Sequence, residues 1–387
     1  MNELHRLISN LEWSQNRGFS KLLLIGRRLY ARLRSVIFDW RATRTLAVVA
    51  AQTHGVPQRR QFFHLARLAL KYGYSPEDYY RFRMYAAPER AAYFLSLRTN
   101  IILRTYLYDA LGLDPAPLAD KRLFYQRCKD AGLPVPETVA DFSQGKEQWW
   151  SQPRLPACDL FVKEAVGLCG AGATQWLWVG PGCWKEKMRG QLNEAELISE
   201  LKARSYDAAI VLQRRLTNHA NLADLARSGL CTARIVTMRA PEEKRPEILL
   251  AVFRIPTSDA VVDNFAQGGL ACAVDLRSGA LEVAVRKKQS LAHIDITHHP
   301  DTKALILNRR VPMWNEVLEL ALHAHHEFST FPSVGWDIAI TPSGPVLIEG
   351  NYNWDVLLAQ QPGWRPLGAT RFVPHLRSWI RSAITTG

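Results

Sequence analysis

Two short apolar segments near the C-terminal end constrain the fold of this chain more than any other feature. Trp336 to Thr341 and Pro345 to Glu349 are strand-like runs separated by Pro342-Ser343-Gly344, a turn signal that folds them into an antiparallel hairpin. Asp337 opens the first strand, and Glu349 and Asn351, two residues apart, point to one face at the end of the second. The short turn returns Glu349 to the neighbourhood of Asp337. Two carboxylates and an amide carbonyl then converge, a ligand set that suits a hard cation such as Mg²⁺ shared with substrate phosphates. Carboxylates also sit at strand ends on ordinary surfaces, but the apolar run Pro345 to Ile348 ties this pair to a core element.

A second segment carries the complementary charge. Leu160 to Lys163 reads as a strand, followed by Gly167, Gly170 and Gly172 within six residues and by a further strand from Thr174 to Val179. Glycines let backbone N–H groups approach phosphate oxygens, and a neighbouring lysine adds a point charge. No Gly-Lys-Ser/Thr follows and a strand rather than a helix comes next, which excludes a Walker A loop. Taken alone, the segment reads first as a structural glycine-rich hairpin.

Around these two segments the chain divides in style near residue 115. Residues 1–115 read as a helical, basic region and 116–387 as an α+β region, with further strands at Ala209 to Gln213, Thr232 to Met238, Ile248 to Arg254 and Ala271 to Asp275. The first 110 residues hold 18 Lys and Arg against 7 Asp and Glu, so +11 of the net +13 lies there. Leu22, Ile25, Leu29 and Leu33 alternate with Arg27, Arg28, Arg32 and Arg34 as an apolar and a basic helix face. Such a helix either rests weakly on an anionic membrane or packs its apolar face on the body. Helices are also expected over Arg59 to Lys71 and from Ser75 to Leu111, the latter started by Ser75-Pro76-Glu77-Asp78. The Tyr-rich stretch from Tyr72 to Tyr85 is read as packing. With 47% hydrophobic residues a folded chain rather than a disordered one is the default reading. No apolar run reaches the ~18 residues of a membrane span and the start is polar, so a cytoplasmic location is expected, with possible contact at the inner face of a membrane. The six scattered cysteines form neither a zinc motif nor a disulfide framework. No nucleic-acid signature accompanies the basic region.

Taken together, these motifs resemble the ATP-grasp superfamily from about Asp120 to Gln360. Asp120-Lys121 through Pro134-Val-Pro136-Glu137-Thr138 is similar to its opening helix and first small sheet. The resemblance implies that Lys121 and Lys163 bind phosphates and that Gly167, Gly170 and Gly172 form the glycine-rich flap. It implies further that Gln213, Arg214 and Leu216 lie on the hinge that receives adenine, and that Asp337, Glu349 and Asn351 hold the metal. Thr232-Ala-Arg234-Ile-Val-Thr237, Val262-Asp-Asn264-Phe-Ala-Gln267-Gly-Gly269, His299-Pro-Asp-Thr302 and Glu349-Gly-Asn351-Tyr-Asn353-Trp354-Asp355 resemble the sugar-transfer associated branch more narrowly.

The fold implied is two α+β subdomains clasping ATP and Mg²⁺, preceded by a helical region. The activity implied is a carboxylate ligase working through an acyl phosphate, with a small-molecule carboxylate and an amine or other nucleophile as partners, in a polysaccharide, modified-sugar or peptide pathway. A phosphotransferase of the same fold and a non-catalytic nucleotide-dependent scaffold are the alternatives. Many superfamily ligases carry an arginine where Gly335 stands, so the anion-stabilising role falls to Arg234 and Arg254, with Asn264 placed beside them. His298, His299, His323, His325 and His326 lack partners at a metal-ligand spacing and are read as structural.

Overall fold

The computed structural model describes residues 43–386 except 168–169, 171, 259–264, 266–267 and 288–294, together with Leu4, Arg6, Leu7, Tyr30, Ile37 and Trp40. The expected arginine face of Arg27 to Arg34 and Asn264 lie outside the described residues. In chain order the helices are α1 (Arg44–His54), α2 (Gln58–Tyr72), α3 (Pro76–Arg81), α4 (Leu97–Leu111), α5 (Ala116–Ala119), α6 (Lys121–Asp130), α7 (Glu194–Arg204), α8 (Trp314–Glu327), α9 (Val356–Gln360) and α10 (Phe372–Thr386). The strands are β1 (Thr138–Ser143), β2 (Lys146–Trp149), β3 (Leu160–Glu164), β4 (Thr174–Gly180), β5 (Cys183–Glu186), β6 (Gly190–Asn193) and β7 (Ile210–Arg214) in one sheet. The other sheet holds β8 (Thr232–Met238), β9 (Glu247–Ile255), β10 (Leu270–Val274), β11 (Leu281–Arg286), β12 (Ser333–Thr341) and β13 (Gly344–Asn351).

The first sheet runs β2-β1-β7-β3-β4-β5-β6 and the second β11-β10-β9-β8-β12-β13. Every strand pair is antiparallel, the expected α+β arrangement. The expected helix from Ser75 to Leu111 is broken. Ser75 does cap α3, with a reciprocal box to Asp78, but Arg83 adopts φ 47° and Pro88 opens a short 3₁₀ turn. Ser96 then caps α4 anew by accepting from the Thr99 N–H. Proline removes a helical donor and a left-handed residue reverses the chain, so a continuous helix cannot pass.

Alternation along β8 decides where each layer packs. Ala233 and Ile235 turn to a core shared with Phe124, Trp314, Phe328 and Trp336, under α6 and α8. Val236 and Met238 turn to the opposite core, built with Tyr79, Tyr80, Phe94, Leu103 and Leu376 from the N-terminal helices and α10. Burying a side chain such as Phe94 contributes roughly 1.5–3 kcal/mol, and this shared core holds the helical region against the second sheet. The expected packing role of the tyrosines follows, with Tyr74, Tyr79, Tyr80 and Tyr85 all buried. The third core lies between the first sheet and α7, around Phe142, Trp176 and Trp184. Among the described residues no helix is long and apolar enough to cross a membrane.

Candidate active site

The hairpin of β12 and β13 pairs Asp337 with Glu349 and Gly335 with Asn351, and β12 pairs Asp337 with Arg234 of β8. Residues directly opposite across a ladder share a face, so Arg234, Asp337 and Glu349 form one row. Arg234 donates from Nε to Asp337 Oδ1 at 2.5 Å and from its terminal nitrogen to Oδ2 at 2.9 Å. Arg254, one strand further on β9, donates to the same Oδ2 at 2.8 Å. Asn351 Nδ2 lies 3.3 Å from Glu349 Oε1 and 3.5 Å from Asp337 Oδ2, and 3.3 Å from the Gly335 carbonyl. Burial of Asp337 works to raise its pKa, but Arg234 and Arg254 outweigh it and hold the carboxyl well below the usual range.

Across from this row stands β3. Phe161 and Lys163 pair with Gln213 and Val211 of β7, so Lys163 and Gln213 share the face that looks toward β13. Lys163 is 8% exposed, with Nζ 5.3 Å from the Tyr125 ring centre, and among the described residues it makes no hydrogen bond or ion pair. Burial pushes its pKa down to about 8, against the opposing pull of Glu349 and Asp337. Lys121, at the start of α6, is also buried and donates to the Gly167 carbonyl at 3.2 Å. Burial lowers its pKa too, with Glu349 acting the other way and Lys163 reinforcing the drop. Both lysines therefore sense one carboxylate.

The glycine-rich segment is joined to α6 at its base, through the Lys121 N–H to the Ala165 carbonyl and a bridge from Asp120 to Val166. Two of its glycines are fixed by crowding. A Cβ at Gly167 would lie 2.6 Å from Glu164 Oε2; at Gly172, where φ is +65°, one would lie 2.8 Å from the Arg204 guanidinium, which also donates to the Gly172 carbonyl. Gly170 adopts φ 67°. On β7 the hinge residues diverge. Gln213 is buried and donates to Thr138 Oγ1 at 3.2 Å, whereas Arg214 points the other way and pairs with Glu137 at 2.8 Å; Leu216 lies half-buried past the strand end.

The structure thus gathers Lys121, Lys163, Arg234, Arg254, Asp337, Glu349 and Asn351, with Gln213 on the facing sheet. Both Asp337 oxygens accept from guanidiniums, Oδ1 from Arg234 and Oδ2 from Arg234 and Arg254, while Glu349 makes no ion pair among the described residues. Gly335 explains its own identity, because a Cβ there would lie 2.6 Å from Trp354 Cβ and 3.1 Å from Arg234 Cδ. The side chain of Arg234 occupies the space that an arginine at 335 would need.

Sequence reasoning missed three supporting residues. Tyr125 donates to the Ile348 carbonyl at 2.8 Å and lies beside Lys163, while Arg204 and Glu164 brace the glycines. Tyr125 follows Lys121 by one helical turn, a spacing that places both on one face of α6. Of the histidines, His325 is buried between Thr237 and the Phe331 carbonyl, and His299 bonds the Pro256 carbonyl. Both serve packing.

Comparison with solved structures finds several ligases. An L-amino acid ligase from Bacillus licheniformis has 10% identity and a TM-score of 0.38, covering 70% of this chain and 52% of that one, so the chain spans about half its length. A D-alanine–D-alanine ligase from Bacillus anthracis complexed with ATP has 10% identity and a TM-score of 0.41, covering 72% and 75%. The ATP-grasp ligase PsnB with minimal precursor, Mg and ADP has 14% identity and a TM-score of 0.36, covering 80% and 73%. No curated protein matches the chain. The family described as sugar-transfer associated ATP-grasp matches residues 114–369, a span that contains every described residue of the row and both lysines. This chain belongs to the sugar-transfer associated ATP-grasp family.

Proposed function

We propose that the protein is an ADP-forming ligase that joins a carboxylate to an amine or another nucleophile through an acyl phosphate, in the assembly of a polysaccharide, a modified sugar or a peptide. The observation that carries this reading is Lys163, a buried ammonium with no hydrogen-bond partner among the described residues, facing a row where Arg234 and Arg254 already satisfy Asp337. Burying an unpaired charge is unfavourable unless an anion arrives. With Lys121, Lys163, Arg234 and Arg254 set against Asp337 and Glu349, the site holds more positive than negative charge and fits the phosphates of ATP.

Lys121 and Lys163 orient the phosphates, Gly167 to Gly172 covers them, and Gln213 lies where the base is received. Glu349 and Asn351 would hold Mg²⁺, which supplies charge neutralisation on the phosphate oxygens. Arg234 and Arg254 hold the substrate carboxylate while one of its oxygens attacks the γ-phosphorus and ADP departs, and they steady the oxyanion of the tetrahedral intermediate that follows. The nucleophile then attacks the acyl carbon, orthophosphate leaves and the amine proton passes to solvent. Catalysis in this scheme is placement and electrostatics, with no general base required of the chain.

The test is incubation of the full chain with Mg-ATP and pools of carboxylates and amines, following ADP release and then the product mass. A new amide or ester with equimolar ADP and orthophosphate supports the reading. A phosphorylated acceptor without a new bond to carboxylate, or no ATP turnover with any pool, overturns it.

A further inference from the structure

Outside this site the molecule has a cleft on its N-terminal helical region. It has a volume of about 920 Å³ and is lined by Arg59, Arg60, Phe63, His64 and Arg67 of α2, with Tyr79 and Tyr85 on the facing side. The sequence of α2 builds this wall. Gln61, Leu65, Leu68 and Ala69 turn inward to the core, while residues 60, 63, 64 and 67 recur at the three- and four-residue steps that share the opposite face. Helix α2 contains no acidic residue, and among the described residues none lines the cleft.

The charge there is uncompensated. Among the described residues Arg59, Arg60 and Arg67 make no ion pair, although elsewhere in the molecule exposed arginines such as Arg189 and Arg371 find carboxylates. His64 sits 3.3 Å from the Tyr79 hydroxyl, and burial together with Arg67 and Arg60 lowers its pKa. Like charges held this close repel one another and raise the local potential for anions. Phe63 stands 72% exposed at the same wall, its ring met edge-on by Phe62 at 5.8 Å between centroids and otherwise open to solvent. A large exposed aromatic beside guanidinium groups is the composition of a site that takes an anion attached to a ring: the guanidiniums fork onto phosphate oxygens and the ring stacks. The volume lies within the range of small-molecule sites.

We propose that this cleft binds a diphosphate ester of a sugar, with Arg60 and Arg67 on the phosphates, Arg59 at the rim and Phe63 against the ring. The reading is independent of the ligase assignment, since none of the lining residues belongs to the lysine and carboxylate site. The diphosphate could come from a soluble nucleotide sugar or from a lipid headgroup, and the soluble source is favoured because the site is a concave cleft rather than a flat face.

Calorimetric titration of the full chain with pyrophosphate and UDP-glucose as probes tests the proposal, with any binding at the lysine and carboxylate site read in parallel from a Lys163→Met variant. Both are expected to bind the wild type and to weaken about tenfold or more in Arg60→Ala/Arg67→Ala, from the loss of charge-assisted contacts. Phe63→Ala is expected to weaken UDP-glucose but not pyrophosphate. Arg98→Ala/Lys129→Ala removes two exposed charges elsewhere and is expected to leave both unchanged. The proposal is overturned by absence of binding, by equal weakening in both double variants, or by capture on phosphatidic acid vesicles without binding of either soluble probe. All these positions are exposed, so thermal melting should match the wild type and confirm that the variants are folded.

Discussion

Arg234 and Asp337 face each other across neighbouring strands in a forked pair, and both are almost fully buried, at 6% and 2% exposure. The carboxylate is the shared anion of two guanidiniums, so its role is structural as well as electrostatic. Removing one partner of a buried pair leaves an uncompensated charge and costs about 3–5 kcal/mol. Asp337→Ala should fall in that range, because it strands Arg234 and Arg254 together. Arg254→Ala should cost clearly less, since the Arg234 fork remains. Urea denaturation of the two variants gives the order, and a reversed order would mean that Arg254 is the principal partner.

The same carboxylate gives a pH dependence. Its folded pKa lies below the unfolded one, so the native state binds fewer protons at acid pH. The stability it contributes is complete above the unfolded value near pH 4 and is lost as pH falls below it. Wild type should lose stability steeply below about pH 4, and Asp337→Asn should flatten that slope; equal slopes would detach Asp337 from acid unfolding.

Lys163 titrates in the opposite sense. Its folded pKa of about 8 lies below the usual 10.5, so between those values the unfolded chain binds more protons and stability rises with pH. Below about pH 8 both states are charged and the cost of burying the ammonium is present in full. Arrival of the phosphates reverses the shift, so Mg-ATP binding at pH 8 should take up protons. Calorimetry in buffers of differing ionisation enthalpy measures this uptake, which Lys163→Met should abolish. The same variant should weaken ATP by roughly one to two decades, from loss of a charge-assisted contact of about 1.5–3 kcal/mol. Unchanged affinity with unchanged proton uptake would remove Lys163 from the site.

The site was legible in the sequence wherever side-chain period and turn chemistry agreed. Pro342-Ser343-Gly344 and the alternation after it place Glu349 and Asn351 on one face, and the register of β12 on β13 follows. Strand β8 matches its expected bounds, Thr232 to Met238. The pairing of Asp337 with Arg234 was not legible, because it depends on the register between strands about a hundred residues apart. Strands β2, β5 and β6 escaped for another reason. At four residues each they are too short for alternation to register, and they lie at the two outer ends of the first sheet. Strand β11, with Leu281, Val283 and Val285 alternating, did carry a strand signal.

Glu349 and Asn351 separate function from stability. Neither is in a buried ion pair, and both end a strand whose core contacts come from residues such as Leu347. On the ligase reading, Glu349→Ala/Asn351→Ala should abolish ATP turnover while changing unfolding free energy far less than Asp337→Ala. Turnover assays with Mg²⁺ and denaturation of the same preparation give both values. Wild-type rates in the double variant would sink the metal assignment.

Gly335 tests how tightly β12 is packed beside the Arg234 fork. The position is buried, and the space above its Cα is filled by Trp354 Cβ and Arg234 Cδ at 2.6 and 3.1 Å from an added Cβ. Gly335→Ala should therefore destabilise by overpacking, about 1–3 kcal/mol. Trp354 also bonds Ser333 Oγ at 3.2 Å through its indole nitrogen and packs into the core with the N-terminal helices, so it cannot retreat cheaply. Arg234 meets the added methyl with a side-chain carbon, and its displacement would loosen the fork on Asp337. Combining Gly335→Ala with Trp354→Gly removes the Cβ and Cγ that the added methyl would meet and should cost less than the sum of the two single variants, whereas strictly additive costs in denaturation experiments would show that the two positions are not coupled.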